Sequence, residues 1–356
     1  MGARLVSRRE ADPAFFDGRA GFLLHESRCL AANPLGDPAL RDLAFYCPPA
    51  GAGERLAVWF LLPGFTGDGK NTLETHPWRR GLLARYHRAV LAGTLEPAVL
   101  VVPDCFTRLG GSQYVNSSAV GAYEDYVVNE ITRLVDAELP VDPTRRGVIG
   151  KSSGGYGALR LSMRHPGLFS ACAAISPDVG FEAMFAGEFL ACLRGLVRSG
   201  GDPARFLEDF AEKPDLSGDG HAVVNVLAMA ACYSPNPESP LGFDLPFDLE
   251  TGERIDEVWQ RWLAFDPLEA TVAELDGLRA LSHLHLECGL ADQFHLQWGL
   301  RRFARRLGEA GIPHAHEEHE GGHFGIGERV LDAIARITPL LGSAEPRTAA
   351  RPPEKR

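Results

Sequence analysis

Residues 147–159, GVIGKSSGGYGAL, contain a short apolar strand, then the pattern Gly-x-Ser-x-Gly, and then a helix-forming run. In this context the pattern is typical of a sharp turn that holds a serine in a strained backbone conformation and exposes its hydroxyl. The N-terminus of the following helix lies behind the serine and favours developing negative charge. The stretch therefore predicts that Ser152 is a nucleophile, with a plain glycine-rich turn as the alternative.

Short apolar runs of strand length recur along the chain and alternate with longer amphipathic segments. The apolar runs lie at residues 56–62, 98–102, 147–150 and 171–175, and residues 284–288 and 315–319 are later strand candidates. Apolar residues repeat at helical spacing at residues 120–134, 298–307 and 330–341. This alternation predicts an α/β fold, in which a mostly parallel central sheet carries helices on both faces.

One long segment interrupts the alternation. From residue 181 to about residue 265 no comparable strand occurs, and helical patterns are followed by a loop rich in proline and glycine. We interpret residues 181–265 as a largely helical lid inserted into one domain of residues 21–342, because the strand pattern resumes afterwards. A separate domain is the alternative. Residues 1–20 are predicted to be a polar arm and residues 343–356 a disordered tail.

Composition limits the expected partners and compartment. The chain has 356 residues, a formal net charge of −11 and no basic cluster on a predicted helix face, so no nucleic-acid partner is expected. No apolar run reaches transmembrane length, and the N-terminal residues lack the apolar core of a signal peptide. The seven scattered cysteines are typical of free thiols in a reducing compartment. A cytoplasmic protein without a membrane partner is expected, and its oligomeric state is not specified.

A nucleophilic serine requires a base and an acid that orients the base. His323 follows the last predicted strand, and Asp292 follows the strand before it. Both therefore lie at the carboxyl ends of strands, the edge at which α/β sheets build their sites. Asp178 and Glu287 are the alternative acids. The alternative bases are three histidines that we interpret as strand residues: His314, His316 and His319.

The oxyanion that forms on a substrate carbonyl needs two backbone N–H donors. The N–H of Ser153, the residue after the nucleophile, is predicted to be one donor. The loop after the first predicted strand is predicted to supply the other. Because Pro63 has no N–H, Phe65 is the expected donor and Thr66 the next candidate.

Further side chains are candidates for the substrate pocket. Gln113, Tyr114 and Lys151 are predicted to bind substrate, although Lys151 is equally interpreted as a surface residue. The aromatic residues of the lid are expected to pack in the core rather than to bind substrate. They are Phe185, Phe189, Trp259 and Trp262.

Two motifs resemble those of other enzyme classes. Residues 319–323 match the zinc-protease pattern His-Glu-x-x-His, but that pattern requires a helix and two adjacent glycines disfavour one. Residues 64–71 nearly match a phosphate-binding loop, with Asn71 at the position of the magnesium-binding Ser or Thr. We therefore expect no metal and no cofactor.

The chain resembles the putative-esterase family of α/β-hydrolases, which includes S-formylglutathione hydrolases, feruloyl esterases, enterochelin esterases and mycolyltransferases. The resemblance covers roughly residues 21–340 and rests on six segments: NPLGD from residue 33, LLPGFTG from 61, GSQYVNS from 111, YEDY from 123, GKSSGGYGA from 150 and GGH from 321. It implies the α/β-hydrolase fold and puts Ser152, Asp292 and His323 on the triad positions. The chain departs from many members at Pro63, where they have histidine, and its lid is long for the family.

These features predict a serine hydrolase that cleaves a carboxylic ester of a small molecule through an acyl-enzyme on Ser152. Two alternatives stay open: an acyltransferase that uses the same triad, and a catalytically silent binding protein on the same scaffold. The sequence does not specify the acyl group or the alcohol, or whether the substrate is an ester or a thioester.

Overall fold

The computed structural model describes residues 2–10, 19–73 and 81–342. The predicted disordered tail lies outside these residues. The strands of the described part are β1 Arg4–Glu10, β2 Arg19–Glu26, β3 Leu40–Cys47, β4 Leu56–Leu62, β5 Ala98–Val102, β6 Asn116–Ser117, β7 Gly121–Ala122, β8 Val141–Lys151, β9 Ala171–Ile175, β10 His283–Gly289 and β11 Ala315–His319.

The α-helices of the described part are α1 Gly69–Thr72, α2 Leu82–Leu91, α3 Tyr123–Asp125, α4 Thr132–Glu138, α5 Ser153–Arg164, α6 Phe181–Leu196, α7 Pro203–Glu212, α8 Gly220–Tyr233, α9 Asp256–Leu263, α10 Val272–Asp276, α11 Leu296–Glu309 and α12 Gly327–Ile337. A π-helical segment, Tyr126–Ile131, joins α3 to α4. Within the described ranges, no helix is both long enough and apolar enough to cross a membrane.

Nine strands form the central sheet, in the spatial order β1-β2-β3-β5-β4-β8-β9-β10-β11. From β5 to β11 in that order neighbouring strands are parallel, whereas β1, β2 and β3 make antiparallel pairs. Strands β4, β5 and β9 are buried at every position, as is typical of parallel strands covered on both faces. The predicted mostly parallel sheet is confirmed.

Helices cover both faces of this sheet. On one face α2 and α12 pack through apolar side chains such as Leu83 and Ile334. On the other face lie α4, α5 and α11, which contribute side chains such as Val135, Leu159 and Phe303 to a larger apolar core. The three-layer arrangement leaves the carboxyl ends of the parallel strands free of core-forming helices, so the loops at that edge are available for a site.

The N-terminal edge of the sheet differs from the predicted polar arm. Arg4–Glu10 forms β1, and β2 begins at Arg19. Strand β1 is exposed on almost every side chain, so it lacks the apolar alternation by which a strand is recognised in a sequence. Its backbone pairs antiparallel with β2, with Arg4 opposite Glu26. The first residues of the chain are therefore an edge strand of the sheet, and residues 11–18 lie outside the described part.

The segment predicted to be a lid contains four α-helices, α6 to α9, and contributes no strand to the central sheet. Its aromatic residues pack against one another: the ring centroids of Phe185 and Trp262 are 5.0 Å apart, and those of Phe189 and Trp259 are 5.5 Å apart. These side chains are continuous with the apolar core of the domain. The expectation of core packing for the lid aromatics is confirmed.

Backbones meet closely where β8 turns into α5. Ser152 has φ 59° and ψ −129°, a combination that L residues rarely adopt. A Cβ atom on Gly150 would lie 2.2 Å from the backbone of Gly154, and one on Gly154 would lie 1.9 Å from the carbonyl oxygen of Leu62. The two glycines are therefore required by the close approach of β4, β8 and α5.

We expect Gly154→Ala to lower the free energy of unfolding by about 3 kcal/mol or more, because the new methyl group would overlap the backbone of β4. The matched control is Gly187→Ala on the exposed face of α6, where no atom lies within 4 Å of the added Cβ. There alanine should raise the free energy of unfolding by up to about 1 kcal/mol. Chemical denaturation followed by tryptophan fluorescence measures both changes. Equal stability of the two variants would contradict the packing argument.

Candidate active site

Three polar side chains meet at the carboxyl edge of the sheet. Ser152 lies in the turn after β8, and its N–H donates to the carbonyl oxygen of Ile175 at 3.0 Å. The Oγ atom of Ser152 is 3.1 Å from Nε2 of His323, and Nδ1 of His323 is 2.8 Å from Oδ2 of Asp292. The structure thus brings together the nucleophile, base and acid that were predicted from chain position.

The loops that carry Asp292 and His323 are attached to each other. The N–H of Leu290 donates to the carbonyl oxygen of His319 at 2.9 Å, and the N–H of Ala291 donates to that of Gly321 at 2.8 Å. The side chain of Gln293 accepts a hydrogen bond from the N–H of His323 at 2.7 Å. These bonds connect the two loops directly and help to position the carboxylate relative to the imidazole without involving Ser152.

The environment of Asp292 favours its ionised form. Its Oδ1 accepts a hydrogen bond from the N–H of Phe294 at 2.9 Å. Burial acts to raise the pKa of Asp292, but the hydrogen bond and the charge of His323 outweigh burial and keep that pKa below its ordinary value. A carboxylate at this place holds the proton of His323 on Nδ1 and leaves Nε2 free to accept one.

Asp178, one of the alternative acids, contacts the serines and makes no hydrogen bond to the imidazole. Its Oδ1 is 3.5 Å from Oγ of Ser152, and its Oδ2 accepts from Oγ of Ser153 at 3.0 Å and from Nε2 of Gln113 at 3.2 Å. Burial raises the pKa of Asp178. The carboxyl group is therefore a buried neighbour of Ser152 rather than a hydrogen-bond partner of His323.

Glu287, the other alternative acid, belongs to an ion network between β10 and α12. It accepts a hydrogen bond from His285 at 3.0 Å and pairs with Arg329. His285, Glu287 and Glu317 lie close enough together to hold a cation. However, Arg329 and Arg336 already neutralise the two carboxylates, so the donor set does not fit a divalent metal.

The pattern His-Glu-x-x-His does not lie on a helix. His319 is the last residue of β11, and His323 lies in the loop beyond it. The imidazole of His323 is bonded through both ring nitrogens to Asp292 and Ser152. The arrangement therefore lacks the shared helix face on which a zinc-protease motif depends.

Two backbone N–H groups near Ser152 are free within the described residues. Thr66 donates its N–H to the carbonyl oxygen of Gly110 at 3.0 Å, which removes it as an oxyanion donor. No acceptor among the described atoms takes the N–H of Phe65 or that of Ser153, the first residue of α5. Both residues border the cleft that contains Ser152. This geometry is compatible with the pair of donors predicted from the sequence.

A cleft of about 270 Å³ opens over Ser152. The helical segment 181–265 contributes three side chains to its wall: Met184 from α6, and His221 and Asn225 from α8. The ring of His221 packs 5.7 Å from that of Phe65. These three residues were not predicted from the sequence, because helical spacing within residues 181–265 does not reveal which faces of α6 and α8 line the cleft.

Of the three predicted substrate-binding residues, Lys151 lines the cleft and the other two do not. Gln113 and Tyr114 are only 1% and 3% exposed, and both have positive φ angles. Gln113 donates to Asp178, and the hydroxyl of Tyr114 donates to the carbonyl oxygen of Pro63 at 2.5 Å. In this structure the two side chains support the loop after β4 and the carboxyl group of Asp178, and their contact with substrate stays a prediction.

Known proteins resemble this chain in sequence and in fold. A family model described as "Putative esterase" matches residues 40–323. S-formylglutathione hydrolase from Mus musculus is 26% identical over 153 residues, which cover 38% of this chain and 50% of the mouse protein. The chain therefore aligns with only half the length of this curated relative.

Two solved structures share the fold over most of the chain. S-formylglutathione hydrolase from Agrobacterium tumefaciens has a TM-score of 0.56 and 19% identity, covering 95% of this chain and 100% of that chain. A ferulic acid esterase has a TM-score of 0.56 and 17% identity, and the match covers 92% of this chain and 100% of the esterase chain. At these identities the likeness establishes the fold, which is the predicted α/β-hydrolase fold.

Proposed function

The chain belongs to the putative-esterase family, and from this premise we propose that it hydrolyses a carboxylic ester of a small molecule through an acyl-enzyme on Ser152. One observation carries the proposal. An unbroken series of hydrogen bonds runs from Oδ2 of Asp292 through both ring nitrogens of His323 to Oγ of Ser152, with distances of 2.8 and 3.1 Å. This is the arrangement by which a base makes a serine hydroxyl nucleophilic.

In the first step, Nε2 of His323 accepts the hydroxyl proton of Ser152 while Oγ attacks the ester carbonyl carbon. The carboxylate of Asp292 holds the imidazole in the required tautomer and stabilises the imidazolium that forms. The imidazolium then transfers its proton to the departing alcohol oxygen. The products of this half-reaction are the free alcohol and an ester between the acyl group and Ser152.

The N–H groups of Phe65 and Ser153 are the proposed donors to the oxyanion. Both are without an acceptor in the described part of the chain, and the positive end of α5 adds to the stabilisation. Asp178 is the acidic group nearest to Ser152 apart from the triad. Burial raises the pKa of Asp178, which is the direction that reduces repulsion between this carboxyl group and the oxyanion.

In the second half-reaction, His323 accepts a proton from water, and the hydroxide attacks the acyl-enzyme carbonyl. Collapse of the second tetrahedral intermediate returns the proton to Oγ of Ser152 and releases the acid. An alcohol in place of water would give acyl transfer by the same steps. The chemistry requires no cofactor.

Release of p-nitrophenolate from p-nitrophenyl acetate tests the proposal. The unaltered protein should show steady turnover, and chromatography should identify acetate as the second product. Adding ethanol distinguishes the two enzyme alternatives, since a transferase would form ethyl acetate at the expense of acetate. Absence of turnover above the rate of the Ser152→Ala variant would contradict the proposed function and favour a silent binding protein.

A further inference from the structure

Lys151 occupies an unusual place for a lysine. It precedes the nucleophile, is half-buried, and lines the cleft beside Ser152. Its Nζ lies 5.4 Å from the ring centroid of Phe324, in a cation–π contact. Among the residues that the structure describes, no carboxylate lies within ion-pair distance of its ammonium group.

An ammonium group that is partly buried without a counter-ion is unfavourable. Burial lowers the pKa of Lys151, and the charges of Asp292 and Asp178 compensate only in part. Neither acid is available as a direct partner: Asp292 is bonded to His323, and Asp178 is bonded to Ser153 and Gln113. The hydrogen-bonding capacity of Lys151 is therefore unused by the described protein groups and available to a ligand in the cleft.

The position of Lys151 also indicates which half of an ester it would contact. The leaving alcohol must lie beside His323, because that residue gives it a proton. The rings of Phe294 and Phe324 are 4.7 and 5.3 Å from the imidazole ring. Phe324 is 67% exposed, and it is the ring that Lys151 covers. Two aromatic rings and a cation thus surround the side of the cleft next to the general acid.

We propose that the natural substrate carries an anionic group on its leaving alcohol or thiol, and that this group binds the ammonium of Lys151 beside Phe324. The inference rests on the proposed function and extends it to a class of substrate. A purely structural lysine, satisfied by the ring of Phe324 alone, is the competing explanation. The two explanations differ in whether removal of the charge affects anionic esters selectively.

Two acetate esters of similar size test the inference: 4-acetoxybenzoate, which has an anionic leaving group, and 4-acetoxybenzamide, which has a neutral one. In Lys151→Met, which keeps the apolar stem without the charge, the ratio of kcat/KM for the anionic ester to that for the neutral ester should fall about tenfold. Turnover of the neutral ester should change by less than about threefold. Lys151→Arg should keep most of the preference.

Lys213→Met is the matched control, because it removes the same charge at the end of α7, in a different cleft from that of Ser152. In Lys213→Met, the ratio of kcat/KM for the anionic ester to that for the neutral ester should equal the ratio of the unaltered protein. Lys151→Gln is a second variant for the same comparison. A second measurement compares inhibition by 4-hydroxybenzoate with inhibition by 4-hydroxybenzamide. An equal loss on both esters, or an unchanged ratio, would overturn the role of Lys151. Failure of the unaltered protein to hydrolyse either ester would contradict the proposed function itself.

Discussion

The Ser152→Ala variant is expected to lose both covalent labelling by an organophosphonate ester and nearly all esterase turnover, a fall in kcat of about a thousandfold or more. A free serine hydroxyl attacks phosphorus slowly. Ser152 should react quickly because its Oγ is 3.1 Å from Nε2 of His323 and is held in a strained turn at the N-terminus of α5. Intact-mass analysis should show one adduct, which peptide mapping should assign to Ser152.

The adjacent Ser153 offers a matched control. Its hydroxyl is buried and donates to Asp178 at 3.0 Å, so it is not free to attack a substrate in the cleft. Ser153→Ala should therefore retain labelling, whereas His323→Ala should slow it sharply because the base is absent. An adduct on Ser153, or full activity in Ser152→Ala, would refute the assignment of the nucleophile.

Asp292→Asn should preserve the fold but reduce kcat by about 10³- to 10⁴-fold. The amide matches the carboxylate in size, but its NH₂ group can donate to Nδ1 of His323. That bond would favour the tautomer with the proton on Nε2, which cannot accept the proton of Ser152. Steady-state kinetics measures the loss, and circular dichroism establishes that the variant is folded.

Asp178→Asn is the control for this substitution. Asp178 is a second buried carboxyl group near the nucleophile, and its bonds from Ser153 and Gln113 can be kept by the amide oxygen. We expect a loss in kcat of less than about tenfold. If this variant were the more damaging of two equally folded proteins, the acid of the triad would be Asp178 and not Asp292.

The strands β4, β5 and β9 were predictable because each has a strong local signal, whereas β11 is a polar edge strand. Strands β4, β5, β9 and β11 have the bounds expected from the sequence, since the first three are unbroken apolar runs with clear ends. Strand β8 is longer than predicted, because its first half, residues 141–146, is polar and shows no apolar run. The antiparallel strands β1 to β3 were missed, as their pairing depends on contacts between distant residues.

The candidate site was predictable where it depends on chain order. Ser152, Asp292 and His323 follow β8, β10 and β11, and parallel strands bring their carboxyl ends to one edge. The burial of individual side chains and the direction in which they point were not predictable from chain order. Gln113 and Tyr114 are buried and have positive φ angles, a local conformation without a sequence signal in residues of these types.

The hydrogen bonds between the loops after β10 and β11 affect how the site could be altered. Leu290 and Ala291 donate hydrogen bonds to backbone oxygens of His319 and Gly321. The two loops that carry Asp292 and His323 are therefore connected to each other as well as to the sheet. Because both bonds join backbone groups, a chimera that receives one of these loops from a relative would keep them only if the new loop has the same backbone path. Transfer of both loops together would preserve the hydrogen bonds between them. The two loops are therefore best exchanged together when the site is redesigned.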